Sequence, residues 1–312
     1  MRLPPLHRRR QQGSALVAVF WMIAVLGLVV YAGAKALEAD TQYARQMRGR
    51  TYAKRLAQMG LEIGRHPALP EHDPLLHHVS PDGGSYQVRL VAEEARLNIN
   101  QLLAADDKVL LPRLFASWGL KPEFAAALRD ALKDWVDGDD KTSLNGAERR
   151  DYEKAGLQGM PFNRPFKEIE EMLMVRGMSQ LNQIRPDWRE WFTVYGDGRV
   201  DVNDARPELI ALLGNVPVER VQPLLTLRAG RDGVLHSQDD VKLSSVPQVA
   251  QLLGVFQPLI VEQLTQWIQF SGPIRRIEST GQFGDIRRRL ILITQNQQAL
   301  WRGEIPLHGQ DS

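Results

Sequence analysis

The strongest case for chemistry in this chain lies between Asp134 and Glu148, where DWVDGDDKTSLNGAE gathers acids among short polar residues. Taking Asp137 as the first position, Asp139 is third, Ser143 seventh, Asn145 ninth and Glu148 twelfth. These are the oxygen-ligand offsets of a calcium loop closed by a bidentate glutamate. Carboxylates packed this tightly repel one another unless a cation offsets their charge. Asp134, just upstream, is a further candidate ligand. Two departures argue against a regular EF-hand: Lys141 stands at the fifth position, and Thr142 where a glycine makes the sharp turn. The competing reading is a solvated acidic turn capping two helices.

Other candidates are weaker. Val175-Arg176-Gly177-Met178 resembles the turn of a helix-hairpin-helix, which in DNA-binding versions offers backbone amides to a phosphate. Here Ser179 takes the second glycine position, so packing is the favoured role. His66, His72, His77 and His78 share a loop with Glu71 and Asp73 but fit no regular zinc spacing. No P-loop, HExxH, nucleophile elbow or dinucleotide fingerprint is present. The chain has no cysteine, which excludes thiol catalysis, disulfides and thiolate metal sites. Its 312 residues are 43% hydrophobic and 24% charged, which excludes a disordered chain and suits about two domains. Four of its 39 basic residues stand in the first thirteen positions, so the remainder carries 35 bases against 37 acids. Such a body is a poor polyanion binder, and no nucleic acid partner is expected.

The elements that position these residues begin with a membrane segment. Ser14 to Ala34 is uncharged over 21 residues, roughly 30 Å of helix and a bilayer core in thickness. Three fates fit it: a signal anchor, a signal peptide cut after Ala32-Gly33-Ala34, or a segment released from a short basic leader between Gly13 and Ser14. Helix-favouring residues continue to Arg65, with Leu56, Met59 and Ile63 on one face. Residues 66–81 read as a proline-rich loop. Asp82-Gly83-Gly84 then starts the alternating strand Ser85–Val91, and Arg96–Asn100 reads as another strand. Helical periodicity runs from Gln101 to Arg189. Strand character returns over Trp191–Asn203, turned at Asp197-Gly198, and helices resume from Ala205 to Phe270. Three closing strands are turned at Gly284-Asp285 and Asn296-Gln297.

An internal echo divides the middle of the chain. Arg96-Leu97-Asn98-Ile99-Asn100 is matched by Arg199-Val200-Asp201-Val202-Asn203, and the stretch at 170–178 by the stretch at 239–247. Two helical units are predicted, each entered by a short strand whose asparagines satisfy backbone groups at the strand-to-helix turn.

The leader ending in Gln12-Gly13 before Ser14-Ala15-Leu16 looks like a type IV prepilin processing site. It is followed in order by Arg96–Asn100, Asp134-Trp135-Val136-Asp137-Gly138-Asp139, Gly146-Ala147-Glu148 with Tyr152, and Asn163-Arg164-Pro165-Phe166. Glu171-Met172-Leu173, Arg176-Gly177-Met178, Thr193-Val194-Tyr195 and Val202-Asn203 complete the series. The ordered set resembles the general secretion protein K family, the large minor pseudopilins of type II secretion. The resemblance implies cleavage between Gly13 and Ser14 by prepilin peptidase and methylation of Ser14. It also implies calcium in the inserted domain, with Asp137, Asp139, Glu148, Asn145 and Asp134 as candidate ligands. The expected fold is α+β and type IV pilin-like. A long N-terminal helix packs on an antiparallel sheet, and a large inserted α-helical domain contains two helix-hairpin-helix or SAM-like units.

On this reading 1–13 is the leader and 14–65 the N-terminal helix, transmembrane over 14–34. The first part of the sheet is 66–100, helical unit 1 is 101–190, a strand hairpin with helical unit 2 is 191–270, and the last strands are 271–312. The implied partners are other minor pseudopilins at a pseudopilus tip, the major pseudopilin, prepilin peptidase and the inner membrane, with the C-terminal body in the periplasm. The implied role is non-enzymatic. Most pilin-like subunits carry glutamate as the fifth residue after cleavage, facing a neighbour's terminal amine; here Ala18 stands there, as suits a subunit with none above it. A membrane-tethered helix-hairpin-helix DNA binder is the rival, and a secreted enzyme cut after Ala34 the third.

Overall fold

The computed structural model describes residues 14–305. A single helix, α1 (Ser14–Gly64), runs for 51 residues, about 76 Å by helical rise. Its amino-terminal part is apolar enough to cross a membrane and is solvent-exposed throughout, from Leu16 to Tyr31. Its carboxyl-terminal part turns Ala53, Leu56, Ala57 and Leu61 to the body, all buried. Met59, expected on the packed face, is exposed instead. Small residues took that face: a Cβ added at Gly60 would press on Ser279, and one at Gly64 would lie 2.7 Å from Ile277 Cγ2.

The chain then forms β1 (His77–Val79) and β2 (Gly84–Ala92). Within the segment expected to be loop, β1 is an added edge strand three residues long. The alternation of β2 puts Tyr86, Val88 and Leu90 against α1. After Ala92 the chain leaves the sheet for some 180 residues and returns as β7 (Ile274–Phe283), which pairs with β2 from Ala92↔Arg275 onward.

That excursion is built twice on one plan. The first unit opens with β3 (Leu97–Asn98) and continues through α2 (Ile99–Ala104), α3 (Leu110–Ser117), α4 (Pro122–Val136), α5 (Arg149–Lys154) and α6 (Met178–Ile184). It closes with β4 (Phe192–Thr193), parallel to β3. The second opens with β5 (Val200–Asp201), runs through α7 (Pro207–Gly214), α8 (Gln222–Arg228), α9 (Val246–Leu253) and α10 (Pro258–Trp267), and closes with β6 (Ile268–Gln269), parallel to β5. The asparagines do what the echo implied. Asn98 Nδ2 donates to Tyr195 O at 2.9 Å and Gly196 O at 2.8 Å, while its Oδ1 accepts from Gln101 N. Asn203 Nδ2 donates to Phe270 O at 2.9 Å and Leu243 O at 3.1 Å, and its Oδ1 accepts from Leu243 N. Each asparagine ties the entry of its unit to the exit.

Two expected boundaries shift as a result. The segment 93–100, assigned to the sheet, belongs to the insertion, because Leu97 and Asn98 find their partners in β4. The hairpin expected over 191–203 does not form, because its two arms pair parallel with β3 and β6 rather than with each other. Gly196 and Gly198, at φ 86° and 100°, make the reversal between the units.

The sheet closes with β7 (Ile274–Phe283), β8 (Ile286–Gln295) and β9 (Gln298–Ile305), giving an antiparallel order β1-β2-β7-β8-β9. The β8–β9 turn places Asn296 and Gln297 at φ 49° and 66°, the left-handed pair a two-residue hairpin needs.

Two main hydrophobic cores follow, one between α1 and the sheet and one wholly within the insertion, with a small third cluster of Ile274, Ile291 and Ile293 on the sheet's other face. The insertion core is centred on Trp135, Trp188 and Trp191. Where the insertion meets the sheet lies a polar joint: Glu93, Glu94, Arg96, Arg276 and Glu278 are all buried. Glu94 lies against Gly272 and Gly196, where a Cβ would strike its side chain, and burial pushes its carboxyl up to about 7. The joint stands at the end of the body remote from the membrane segment. Gly84, at the start of β2, lies beside Tyr52 and Leu56 of α1, whereas Leu90 lies beside Gly64 at the helix's end.

Candidate metal centre

The acidic loop connects α4 to α5. Asp134 and Trp135 sit in the last turn of α4, and Glu148 is the N-cap residue of α5, where Asp151 Oδ2 accepts from its amide at 3.2 Å. Asp134 is fully buried, and its carboxylate accepts from Ser143 N at 3.0 and 3.2 Å, which folds the loop back on the helix. Gly146 packs directly on that carboxylate, and any side chain there would collide with it.

Glu148 is 3% exposed, and among the described residues neither of its carboxylate oxygens has a hydrogen-bond partner; Asp137 Oδ1 is likewise buried and unpartnered among them. Burial, reinforced by Asp134 and Asp137, pushes the Glu148 carboxyl up to about 7. Burial followed by Asp134 and Asp139 raises Asp137 as well, and burial raises Asp134 despite its bonds to Ser143. Buried carboxylates without donors are costly, and a hard cation is the group that relieves them. The donor set of Asp134, Asp137 and Glu148 fits a divalent oxygen-seeking ion. Among the described residues, however, no three acidic or histidine side chains close to metal-holding distance. The three face one another through mutual repulsion rather than as a finished cage.

The remaining expected ligands stand outside this trio. Asp139 is exposed and accepts from Lys141 N at 2.8 Å. Asn145 is exposed and turns to Asp130, its amide donating to Oδ2 at 3.3 Å. Asp130 was absent from the expected set because it lies two turns back along α4, outside the loop's register. Arg176 was also missed as part of this site. Its guanidinium donates to Asn145 O at 2.7 Å and to Gly146 O, so it pins the loop from the turn before α6. That turn holds Gly177 in the left-handed region at φ 93°, and its cation is engaged inside the protein. Trp135 supports the floor, edge-on to Tyr152 at 5.3 Å and to Phe162 at 5.2 Å, and stacked over Phe166 at 6.5 Å. Asn100 fixes Phe166 with a reciprocal pair of 2.9 Å hydrogen bonds to its backbone.

The four loop histidines do not assemble with the acids near them. Glu71 pairs with Lys242 at 2.9 Å and reaches His236 at 3.5 Å, and His78 stacks on Tyr86. Of the processing residues, Gly13 lies outside the described residues and Ser14 is the first residue of α1.

Comparison with known proteins gives one consistent direction. The family model described as "Type II secretion system (T2SS), protein K" matches residues 95–186, nearly the whole of the first helical unit with its acidic loop. Type II secretion system protein K of Pseudomonas aeruginosa is 25% identical over 262 residues, 75% of this chain and 76% of that protein. The protein of the same name from Klebsiella pneumoniae is 24% identical over 230 residues, 65% of this chain and 69% of its own length. A chain from the crystal structure of the GspK-GspI-GspJ complex of the enterotoxigenic Escherichia coli type 2 secretion system shares the fold. The TM-score is 0.58 at 17% identity, over 87% of this chain and 99% of that one.

Proposed function

We propose that this chain, which belongs to the type II secretion protein K family, initiates and caps the pseudopilus at its tip as a non-enzymatic minor pseudopilin. One observation carries the reading: the insertion leaves the sheet at the end opposite the exposed apolar helix. A subunit anchored by α1 in a membrane-rooted fibre therefore holds its bulk outward, where it obstructs any subunit above it. Ala18 agrees, since a carboxylate at that depth needs a neighbour's amine and a terminal subunit has none to face. The related crystal structure is of a complex of GspK with GspI and GspJ, and we take the partners of this chain to be of that kind. Contact runs through the exposed half of α1. The two helical units serve as packing modules, with the helix-hairpin-helix turn at Gly177 bracing the acidic loop.

This role requires maturation by prepilin peptidase between Gly13 and Ser14, an inner-membrane anchor and a periplasmic body. The intact mass and first residue of the membrane-fraction protein test it. A methylated Ser14 start is expected. A start at Lys35 would mean a freely secreted protein and end the proposal.

Calcium is proposed as the ion between Asp134, Asp137 and Glu148, supported by the unpartnered buried oxygens there. Bound only to the folded chain, it should stabilise by about 2.7 kcal/mol at a hundredfold excess over Kd. Thermal melts with calcium and with chelator should therefore separate by several degrees, and Glu148→Gln should abolish the separation. Coincident melts for the unaltered protein would remove calcium from the account.

A further inference from the structure

We infer that the cleft between the outer face of the sheet and the second helical unit docks an acidic, extended segment of a partner protein. A cavity of about 600 Å³ lies there, with Arg89, Arg96, Arg206, Arg228 and Arg231 in its wall against only Glu190 and Asp204. A second hollow of about 440 Å³ continues along the sheet's outer face, lined by Arg287 and Arg289 with Glu278 as its acid. Arg89 borders both, so the two form one track.

Several of these cations already serve the fold. Arg89 and Arg289 hold Glu278 at 2.8 and 2.7 Å, and Arg206 is paired with Glu190. Others retain capacity. Arg228 is 4% exposed and donates to Ala205 O at 2.9 Å, yet among the described residues its Nε–H has no partner. Arg231 is exposed on the rim, and its guanidinium makes no hydrogen bond or ion pair among the described residues.

The form of the track identifies the occupant. Cations strung from the sheet's face to α8 suit successive carboxylates along a chain better than a single small anion. Leu225 and Leu235 in the same wall offer apolar contact between the charges, as a peptide's alternate side chains require. A nucleic acid is disfavoured, because among the described residues no Phe, Tyr or Trp lines either hollow for base stacking. The same electrostatics predict a fast, salt-sensitive encounter.

The test uses the full chain in detergent and a fluorescein-labelled peptide alternating glutamate and leucine, followed by anisotropy. Binding is expected at low salt and should weaken as salt rises. Arg231→Glu combined with Arg287→Glu should weaken it by about tenfold or more. Both side chains are exposed, so circular dichroism should report an unchanged fold. Arg150→Glu, a charge reversal at an exposed residue that lines neither hollow, should leave affinity as it was. Equal affinity in the double variant, or no binding at low salt, would overturn the inference. So would displacement of the peptide by equimolar free glutamate, which would indicate a small-anion site, or tighter binding of a single-stranded oligonucleotide.

Discussion

Replacing Gly281 by alanine is expected to prise α1 from the sheet and lower stability by about 3 kcal/mol, the upper end of the usual overpacking range. Gly281 lies in central strand β7, paired across to Tyr86 on one side and Arg288 on the other. A Cβ there would be driven into the carbonyl oxygen of Ala53 and lie 2.5 Å from the amide nitrogen of Ala57. Both obstructing atoms are helix backbone, which no rotamer change can move aside. Relief requires lifting the helix, and that opens the core of Leu56, Leu61, Val88, Leu90 and Ile277.

At roughly 2–4 °C per kcal/mol for a body of this size, the melt should fall by ~6–12 °C. Valine should do worse. The damage should also be local, because the core around Trp135 and Trp191 belongs to a different cluster. Hydrogen exchange should therefore lose protection in β7 and the second half of α1 while α4 keeps it. An unchanged melt for the alanine variant would show that helix and sheet do not approach this closely.

The sequence revealed what is periodic or repeated. Tyr86, Val88 and Leu90 alternate, Asn296-Gln297 announces a turn, and Asn100 and Asn203 stand at matching places in two echoes, each exchanging a pair of hydrogen bonds with a distant backbone. All three signals are local, and all three reappear in the structure. The parallel pairs β3–β4 and β5–β6 were hidden because each is two residues long and joins segments far apart in the chain. Arg176 read as part of a packing turn, and nothing local shows that its guanidinium reaches the carbonyls of Asn145 and Gly146. In the acidic loop, spacing from Asp137 singled out Asp139, Ser143, Asn145 and Glu148, with Asp134 added as the acid just upstream. It could not foresee that Asn145 would turn to Asp130 on the exposed side. The polar joint was the least legible feature, because nothing local in Arg275-Arg276-Ile277-Glu278 marks its charges for burial until the insertion lands on it.

That joint carries the other large effect: Glu278→Gln should cost ~3–5 kcal/mol, the cost of breaking a buried ion pair from one side. Glu278 is 4% exposed and serves several cations. Arg276 Nε donates to its Oε1 at 2.6 Å, and Arg89 and Arg289 donate to its Oε2 at 2.8 and 2.7 Å. Arg96 approaches Oε1 at 3.5 Å. Glu93 takes Arg276 at 3.2 Å and Arg96 at 3.6 Å, and cannot balance both arginines once Glu278 is neutral.

Burial by itself would push the Glu278 carboxyl up. Arg276, then Arg89, Arg289 and Arg96, outweigh burial and hold it well below its ordinary value. The unfolded chain therefore takes up this proton near pH ~4.3, while the folded chain resists until the pH is lower still. Stability from the carboxylate is thus fully present above the unfolded value and drains away as pH falls toward the folded one. The glutamine variant carries no such proton. Denaturant unfolding should therefore separate the two proteins widely at pH 7 and bring them together in acid. A gap that stayed constant from pH 7 to pH 3 would mean that Glu278 matters for its shape and not its charge. The insertion would then be held to the sheet by packing alone, through the contacts of Ile274, Ile291 and Ile293 with Tyr195.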